Sequence, residues 1–316
     1  MIVTLTVHPS LDRTVSIGEP LRVGEVQAAM AMREDAGGKG INVARVLRAA
    51  GVASLAVLPL DSGDPFGAAL AEADVDVRTV PVRGRTRANI AVTDPTGETT
   101  KVNLPGVALS PDDLAAIIEV VVDVSRGAAW LVLAGSLAPG LPDDSYVRII
   151  HAVRARLGDD APRIAVDTSG AALRAAVADG RPDLIKPNDD ELADLLGSPL
   201  PDAVDLADAV HAAALSLVPA AVGAALVTLG GDGAVLVTAD GAWAATPPPT
   251  RVRSTVGAGD SSLAGFLIAD TGGLDPSTSL VSAVRYGSAA AALEGTQAPR
   301  ASDLPTADVP VRRLHR

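Results

Sequence analysis

Short apolar runs alternate with longer helical stretches along the middle of this chain, and that rhythm constrains its fold more than any other feature. Trp130-Leu131-Val132-Leu133 is wholly apolar, as a strand buried on both faces of a parallel sheet must be. Before it, Pro111 to Val124 reads as a helix, with Ser110 as N-cap and proline at the first helical position. After it come a helix around Asp144 to Leu157, the strand Arg163-Ile164-Ala165-Val166 and a helix around Ala171 to Ala178. The strand Leu184-Ile185, a helix from Asp189 to Leu196, a helix from Asp202 to Val218 and the strand Ala225 to Leu229 continue the pattern. Near the start, Met1 to Val7 is a first strand, Ile41 to Ala50 a helix and Ser54 to Leu60 a strand. Strands alternating with helices predict an α/β fold, a doubly wound and mostly parallel sheet with helices on both faces.

Two segments, about 13–33 and 86–104, break the rhythm. They read as short extended pieces with alternating apolar positions, as in Asn89-Ile90-Ala91-Val92-Thr93, and Asp94-Pro95-Thr96-Gly97 is a β-turn sequence. Together they are expected to form a small sheet, a lid over the strand ends. From Ala298 the chain is rich in proline and charge and reads as a surface tail. With no internal repeat and no domain-scale linker, residues 1–316 are expected to form one domain.

Composition removes several functions. Aromatic residues are only 2% of the chain, so Ala, Val and Leu must fill the core. A net charge of −12 has the wrong sign for a non-specific nucleic-acid binder, and an anionic substrate would require basic residues focused in one cleft. The absence of cysteine excludes disulfides, thiolate metal sites and cysteine nucleophiles, and four scattered histidines argue against zinc. The N-terminus lacks a basic region and a small-residue cleavage site. The uncharged run Ala212 to Gly231 contains Pro219 and Gly223, so a helix, a loop and a strand explain it better than a membrane span. A soluble, cytoplasmic protein without a membrane partner is expected.

Ser254-Thr255-Val256-Gly257-Ala258-Gly259-Asp260-Ser261 places two glycines before an aspartate at the start of an apolar helix. Bare amides at a helix N-terminus hold anions. An aspartate there would repel an anion, unless it takes a proton from a hydroxyl while the backbone holds a transferring phosphoryl group. The plainer alternative is an aspartate serving as a helix cap. A second glycine-rich turn, Gly37-Gly38-Lys39-Gly40-Ile41-Asn42, feeds the helix at Ile41. It lacks the spacing of a Walker A loop. Its exposed amides, with Lys39 inside the turn and Asn42 one turn on, suit a polyhydroxy ligand bearing a phosphate.

Together these two turns resemble the paired signatures of the PfkB (ribokinase-like) sugar kinases, and the similarity runs from Thr6 to about Thr296. Supporting segments are His8-Pro9-Ser10-Leu11-Asp12, Thr86-Arg87-Ala88-Asn89, Ala134 to Gly140, Asp167-Thr168-Ser169-Gly170 and Lys186-Pro187-Asn188-Asp189-Asp190-Glu191. The likeness is strongest to the branch of 1-phosphofructokinases, tagatose-6-phosphate kinases and minor 6-phosphofructokinases. Gly-Gly-Lys-Gly suits the first of these, because the minor 6-phosphofructokinases tend to have glycine at the position of Lys39.

The resemblance implies a fold and a set of roles. The fold is ribokinase-like, with a β-sheet lid that often pairs subunits into a homodimer. Asp260 would be the general base, and Gly257, Ala258 and Gly259 the anion hole. Asp12, Gly38 and Asn42 would bind sugar hydroxyls, with Asn103 and Ser136 in the same substrate site, while Lys39 and Arg87 would hold the phosphate already on the sugar. ATP would lie along Lys186, Asn188, Thr228, Gly230, Gly233 and Ser288. Asn188 and Glu191 would organise Mg²⁺ through water, although Asn at N-cap with Glu at N3 is also a capping box. Backbone carbonyls near the Asp260 turn could bind K⁺.

Two departures from the family pattern stand out. Pro59-Leu60-Asp61-Ser62-Gly63-Asp64 replaces a glycine-rich turn and is expected to be stiffer and more acidic, near the far end of the sugar. Arg13 replaces an apolar or small residue. A Rossmann oxidoreductase would need G-x-G-x-x-G after the first strand, where His8 to Asp12 stands instead. A non-catalytic sugar-phosphate sensor would have lost the base or the glycines, and all are present.

Overall fold

The protein is described here from a computed structural model, which covers residues 1–201, 203 and 205–315. The first part of the chain forms β1 (Ile2–Leu5), β2 (Ser10–Ile17), β3 (Ala29–Gly37), α1 (Lys39–Ala49), β4 (Ser54–Leu60), α2 (Phe66–Glu72) and β5 (Val77–Pro81). Then follow β6 (Arg87–Thr93), β7 (Thr99–Asn103), α3 (Pro111–Ser125), β8 (Trp130–Ala134), α4 (Ser145–Leu157), β9 (Arg163–Asp167) and α5 (Gly170–Ala175). The remainder holds β10 (Leu184–Ile185), α6 (Asp189–Leu196), α7 (Leu206–Ala214), β11 (Ala224–Thr228), β12 (Ala234–Thr238), β13 (Gly241–Ala245), α8 (Ala258–Thr271), α9 (Pro276–Ala292) and β14 (Val311–Leu314).

The main sheet runs β14-β13-β12-β11-β10-β9-β8-β1-β4-β5, parallel from β11 to β5 and antiparallel at the other edge. Alternate residues feed opposite cores, which is why the strands read as unbroken apolar runs. Val3, Leu131 and Leu133 pack with Ile117 of α3, Ile149 of α4 and Val210 of α7. Ile2, Trp130 and Val132 pack with Leu47 of α1, Leu263 of α8 and Leu280 of α9. The expected α/β architecture with two helical layers is therefore present. The expected N-cap of α3 is present as a full capping box: Ser110 Oγ accepts from the Asp113 amide at 3.1 Å, and the Asp113 carboxylate accepts from the Ser110 amide at 2.8 Å.

The two irregular segments form the separate sheet β3-β2-β6-β7. The first segment's strands begin at Ser10 and end at Gly37, somewhat beyond the expected 13–33, while those of the second, Arg87 to Asn103, lie within 86–104. The turn at 94–97 is as read, with the Gly97 amide donating to the Asp94 carbonyl at 3.0 Å. At its root this sheet packs Leu11 and Ala36 against Phe66 and Leu70 of α2.

Two expectations are corrected. The helix placed over Asp202 to Val218 is shorter. Asp202 lies outside the described residues, Asp205 caps α7, and the helix stops at Ala214. Both the amide and the hydroxyl of Ser216 turn back to the Ala213 carbonyl (3.2 and 2.7 Å), and Pro219 disfavours helical backbone at Val218. The uncharged run is thus the end of a helix, turns and a strand, and no described helix is long and apolar enough to cross a membrane. The segment after Ala298 is not simply a surface tail. Its strand β14 pairs antiparallel with β13, burying Leu314 and becoming the edge of the main sheet. Arg312 ties it to Asp205 and Asp208. The charges in Val-Arg-Arg-Leu hid this strand from a reading by alternation.

Candidate active site

Strand β1 has β4 on one side and β8 on the other, so the crevice beyond the carboxyl ends of these strands lies at a topological switch point. Two helices begin there. Before α1, Gly38 takes φ 130°, and a Cβ on it would come within 2.7 Å of Thr6 Cγ2, so only glycine fits. Lys39 follows, and its Nζ donates to Asp167 Oδ1 at 2.7 Å, at the end of β9. Lys186, just after β10, places its Nζ 3.4 Å from the same oxygen. That ammonium also lies 3.3 Å from where a Cβ on Gly259 would stand, so it packs on the first turn of α8.

At α8 the N-cap is Gly257 with φ 77°, a left-handed conformation. The Ser261 amide makes the first bond of the helix to the Gly257 carbonyl, at 2.9 Å. Ala258, Gly259 and Asp260 therefore carry their amides at the positive end of the helix dipole. Asp260 itself is buried, and Asn42 Nδ2 of α1 donates to its Oδ2 at 2.8 Å.

The charges in this cluster set each other's protonation. Burial, reinforced by Asp167, pushes Asp260 up to about 6 against the pull of Lys39, Asn42 and Lys186. Burial also works upward on Asp167, but Lys186 and Lys39 outweigh it and hold its carboxyl below the usual range. For Lys39 burial works downward, and Asp167 with Asp260 overcome it, so its ammonium stays charged. Beneath them, Tyr146 Oη donates to the Gly135 carbonyl at 2.9 Å and steadies the loop after β8. The cluster offers one carboxylate permanently ionised between two cations, and a second poised near neutrality at a helix N-terminus. A general base beside an anion site has this arrangement.

The small sheet supplies the other wall. Its register sets Asp12, Asn89 and Asn103 side by side across β2, β6 and β7. Asp12 Oδ1 accepts from Asn89 Nδ2 at 2.7 Å and from Ser10 Oγ at 2.9 Å, while burial pushes its carboxyl above the usual range. Asn103 is exposed at the end of β7. Arg87 opens β6 opposite Ser10, with its Nε buried and without a partner among the described residues. Ser136 Oγ lies 3.2 Å from His8 Nδ1, and His8 Nε2 lies 3.0 Å from the Pro105 carbonyl. A carbonyl only accepts, so Nε2 carries the proton and Nδ1 accepts from the serine. Burial, with Arg87 nearby, holds His8 below its usual range and keeps that tautomer neutral.

On the far side, Asn188 and Glu191 close a capping box on α6: Asn188 Oδ1 accepts from the Glu191 amide at 2.6 Å, and Glu191 Oε2 accepts from the Asn188 amide at 2.9 Å. Thr228 lies beside Asn188 through a parallel bridge, so β11 ends next to α6. Gly230 and Gly233 bracket the short 3₁₀ turn between β11 and β12, and Ser288 is buried on α9.

The sequence matches the profile of the pfkB family carbohydrate kinases over residues 12–306. The chain belongs to that family. It is 37% identical over 278 residues to a 1-phosphofructokinase of Rhodobacter capsulatus, covering 87% of this chain and 85% of the relative. It is 34% identical over 292 residues to the ATP-dependent 6-phosphofructokinase isozyme 2 of Escherichia coli, covering 92% and 90%. A crystal structure of Phosphofructokinase-2 from Escherichia coli in complex with potassium superposes with a TM-score of 0.87 at 32% identity, over 96% of each chain. This pfkB kinase is thus a phosphotransferase acting on a sugar hydroxyl, on a ribokinase-like fold.

Lys39, expected on the phosphate of the sugar, donates one bond to Asp167 beside Asp260, which leaves two of its three N–H donors for a ligand. Sequence reasoning missed Asp167 as a site residue, though the quoted segment begins with it, and it missed His8 and Asn89 as partners of Ser136 and Asp12. No described group of three or more His, Cys, Asp or Glu side chains could cage a metal ion. The donors present still fit Mg²⁺, which keeps most of its waters and needs only one or two carboxylates besides substrate phosphates. The capping box occupies one oxygen of Glu191, and a carboxylate has two.

Proposed function

We propose that this kinase transfers the γ-phosphoryl group of MgATP to the 6-hydroxyl of fructose 1-phosphate, giving fructose 1,6-bisphosphate and ADP. One observation carries the reading: a buried carboxylate, Asp260, held up near 6 by burial and Asp167, at a helix N-terminus flanked by Lys39 and Lys186. In the reaction the acceptor oxygen bonds to the γ-phosphorus, the bond from that phosphorus to the β,γ-bridging oxygen breaks, and ADP leaves with the electron pair. The hydroxyl proton goes to Asp260. The amides of Ala258, Gly259 and Asp260 stabilise charge on the transferring group, and Asp167 holds the Lys39 ammonium charged beside it. Asp12, with Gly38 and Asn42, takes sugar hydroxyls, and Asn103 borders that group.

Arg87 and Ser136 receive the phosphate the sugar already carries, the serine aligned by His8. Lys186, Asn188, Thr228, Gly230, Gly233 and Ser288 line the nucleotide side. Asn188 and Glu191 would hold Mg²⁺ through water, and the ion would neutralise phosphate charge when bound. Backbone carbonyls of the 254–257 turn are the proposed K⁺ ligands, in keeping with the potassium in the Escherichia coli relative. The outer face of the lid presents Val15, Met32, Ile90, Val92 and Val102, a surface suited to a homodimer, and the enzyme acts in the cytoplasm.

The 34% identity to a 6-phosphofructokinase makes fructose 6-phosphate the second acceptor to consider, and tagatose 6-phosphate, a stereoisomer of it, is a third. The test is product identity. Incubation with MgATP and fructose 1-phosphate, followed by ³¹P NMR, gives ADP and fructose 1,6-bisphosphate in equal amounts. ATP consumption with release of inorganic phosphate and no new phosphomonoester contradicts the reading.

A further inference from the structure

The acidic loop that departs from the family pattern lies beside the cavity that Arg87 and His8 line, and Asp61 lines it too. The loop's two carboxylates are spent on backbone amides, and half of those amides belong to the root of the lid. Asp61 Oδ1 accepts from the Gly63 amide at 2.9 Å, and its Oδ2 accepts from the Gly84 amide at 3.0 Å. Asp64 Oδ1 accepts from the Phe66 amide at 2.9 Å, and its Oδ2 from the Thr86 amide at 2.5 Å. The bonds to Gly63 and Phe66 are ordinary Asx turns. The bonds to Gly84 and Thr86 are not local; they cross 23 and 22 residues to the segment that carries the chain from β5 into β6.

We infer that Asp61 and Asp64 are positioning residues, a two-point clamp that fixes the backbone leading into Arg87 and so sets where its guanidinium meets the phosphate of the sugar. It rests on Arg87 being the phosphate ligand, as proposed above. The clamp has a firm anchor, because Asp64 is bonded to the start of α2, and Phe66 and Leu70 of that helix pack against Leu11 and Ala36 of the lid. The opposite side of the strand is equally fixed. The Val107 amide donates to the Arg85 carbonyl at 2.9 Å and the Leu104 amide to the Ala88 carbonyl at 2.8 Å. Gly106 lies so close that a Cβ on it would stand 2.7 Å from the Arg87 nitrogen. Arg87 is therefore gripped along its backbone while its Nε keeps no protein partner among the described residues, the state of a side chain held ready for a ligand. Asp61 is held below the usual carboxylate range by the Gly63 and Gly84 amides, so this arm of the clamp stays ionised through neutral pH.

The experiment is a double-mutant cycle on the full chain, with Asp64→Asn, Arg87→Ala and the two combined, read as KM for fructose 1-phosphate, KM for ATP and kcat. Amide hydrogen exchange at 84–87 is measured on the same proteins. Asparagine can accept only one of the two amides that Asp64 holds, so it opens the clamp without removing side-chain volume. The expected result is a ~10-fold rise in KM for the sugar phosphate in Asp64→Asn, with kcat and KM for ATP within about twofold of wild type. In the Arg87→Ala background the same substitution produces no further rise, because the clamp acts only through the arginine. Exchange at Thr86 accelerates in Asp64→Asn, and Asp64→Glu, which restores two acceptors, recovers part of the lost affinity. Equal effects of Asp64→Asn in both backgrounds, or unchanged exchange at Thr86, overturn the clamp while leaving Arg87 as the phosphate ligand. An unchanged KM in Arg87→Ala alone overturns the phosphate reading, and the clamp falls with it even where Thr86 exchange accelerates.

Discussion

Replacing Asp260 with asparagine should inactivate this enzyme and make it more stable. The carboxyl is buried and held at about 6 instead of the ordinary 3.8. Ionising it in the folded state therefore costs about 3 kcal/mol more than ionising it in the unfolded chain. The direction follows from proton binding. Between about pH 4 and 6 the folded protein holds a proton that the unfolded chain has released, so stability declines as pH rises through that window. Above it the full cost is carried. Asparagine is neutral at every pH and can still accept from Asn42, so Asp260→Asn removes the cost. For a chain of 316 residues, with an unfolding entropy of roughly 2 cal/mol/K per residue, 3 kcal/mol corresponds to a gain of about 4–5 °C in Tm. The gain should be present at pH 7.5 and vanish near pH 4. Loss of a positioned base should meanwhile lower kcat by at least ~10²-fold. The assay is a thermal melt of both proteins at the two pH values alongside turnover at pH 7.5. A variant that melts lower than wild type at pH 7.5, or that keeps near-wild-type turnover, refutes the reasoning.

Other predictions are smaller in scope. The acid limb of the kcat profile should turn near pH 6 and fall ~10-fold for each pH unit below, because protonated Asp260 cannot accept the proton; a limb at pH 4 contradicts this. Arg87→Ala should raise KM for the sugar phosphate by ~10- to 10²-fold, the worth of a charged hydrogen bond, with KM for ATP nearly unchanged; steady-state kinetics with each substrate varied decides it. Ser110→Ala breaks the capping box of α3, far from the chemistry, so denaturant melts should show a loss of about 1 kcal/mol with turnover intact.

Much of the architecture was legible because it depends on local chemistry. Ser110-Pro111 announces a helix start wherever it sits, and the strand at Ser54 to Leu60 spans the apolar run that marked it. The glycines around 38 and 257 were legible because those backbone conformations admit little else. What stayed hidden depends on partners distant in sequence. Asp167 stands 128 residues from Lys39, and nothing near it in the chain says that two lysines converge on its carboxylate. His8 reads as an isolated residue until the loops at 105 and 136 meet on its two nitrogens. The acidic loop at 61–64 reads as added charge near the sugar, and only tertiary contact shows one oxygen of each carboxylate taken by an amide at the root of the lid. The strand at Val311 to Leu314 needed β13 beside it before its two arginines could be placed on opposite faces, Arg312 against Asp205 and Asp208 and Arg313 over Trp243.

In the proposed reaction a phosphate already on the sugar, read by Arg87, brings a hydroxyl to Asp260. This delivery is tested most directly by ADP release with MgATP against fructose 1-phosphate, fructose 6-phosphate, tagatose 6-phosphate and unphosphorylated fructose, measured side by side. The account predicts a kcat/KM for fructose 1-phosphate at least ~10-fold above the others, with fructose lowest because it forgoes the charged contact. Fructose turning over as well as any of the phosphates contradicts it.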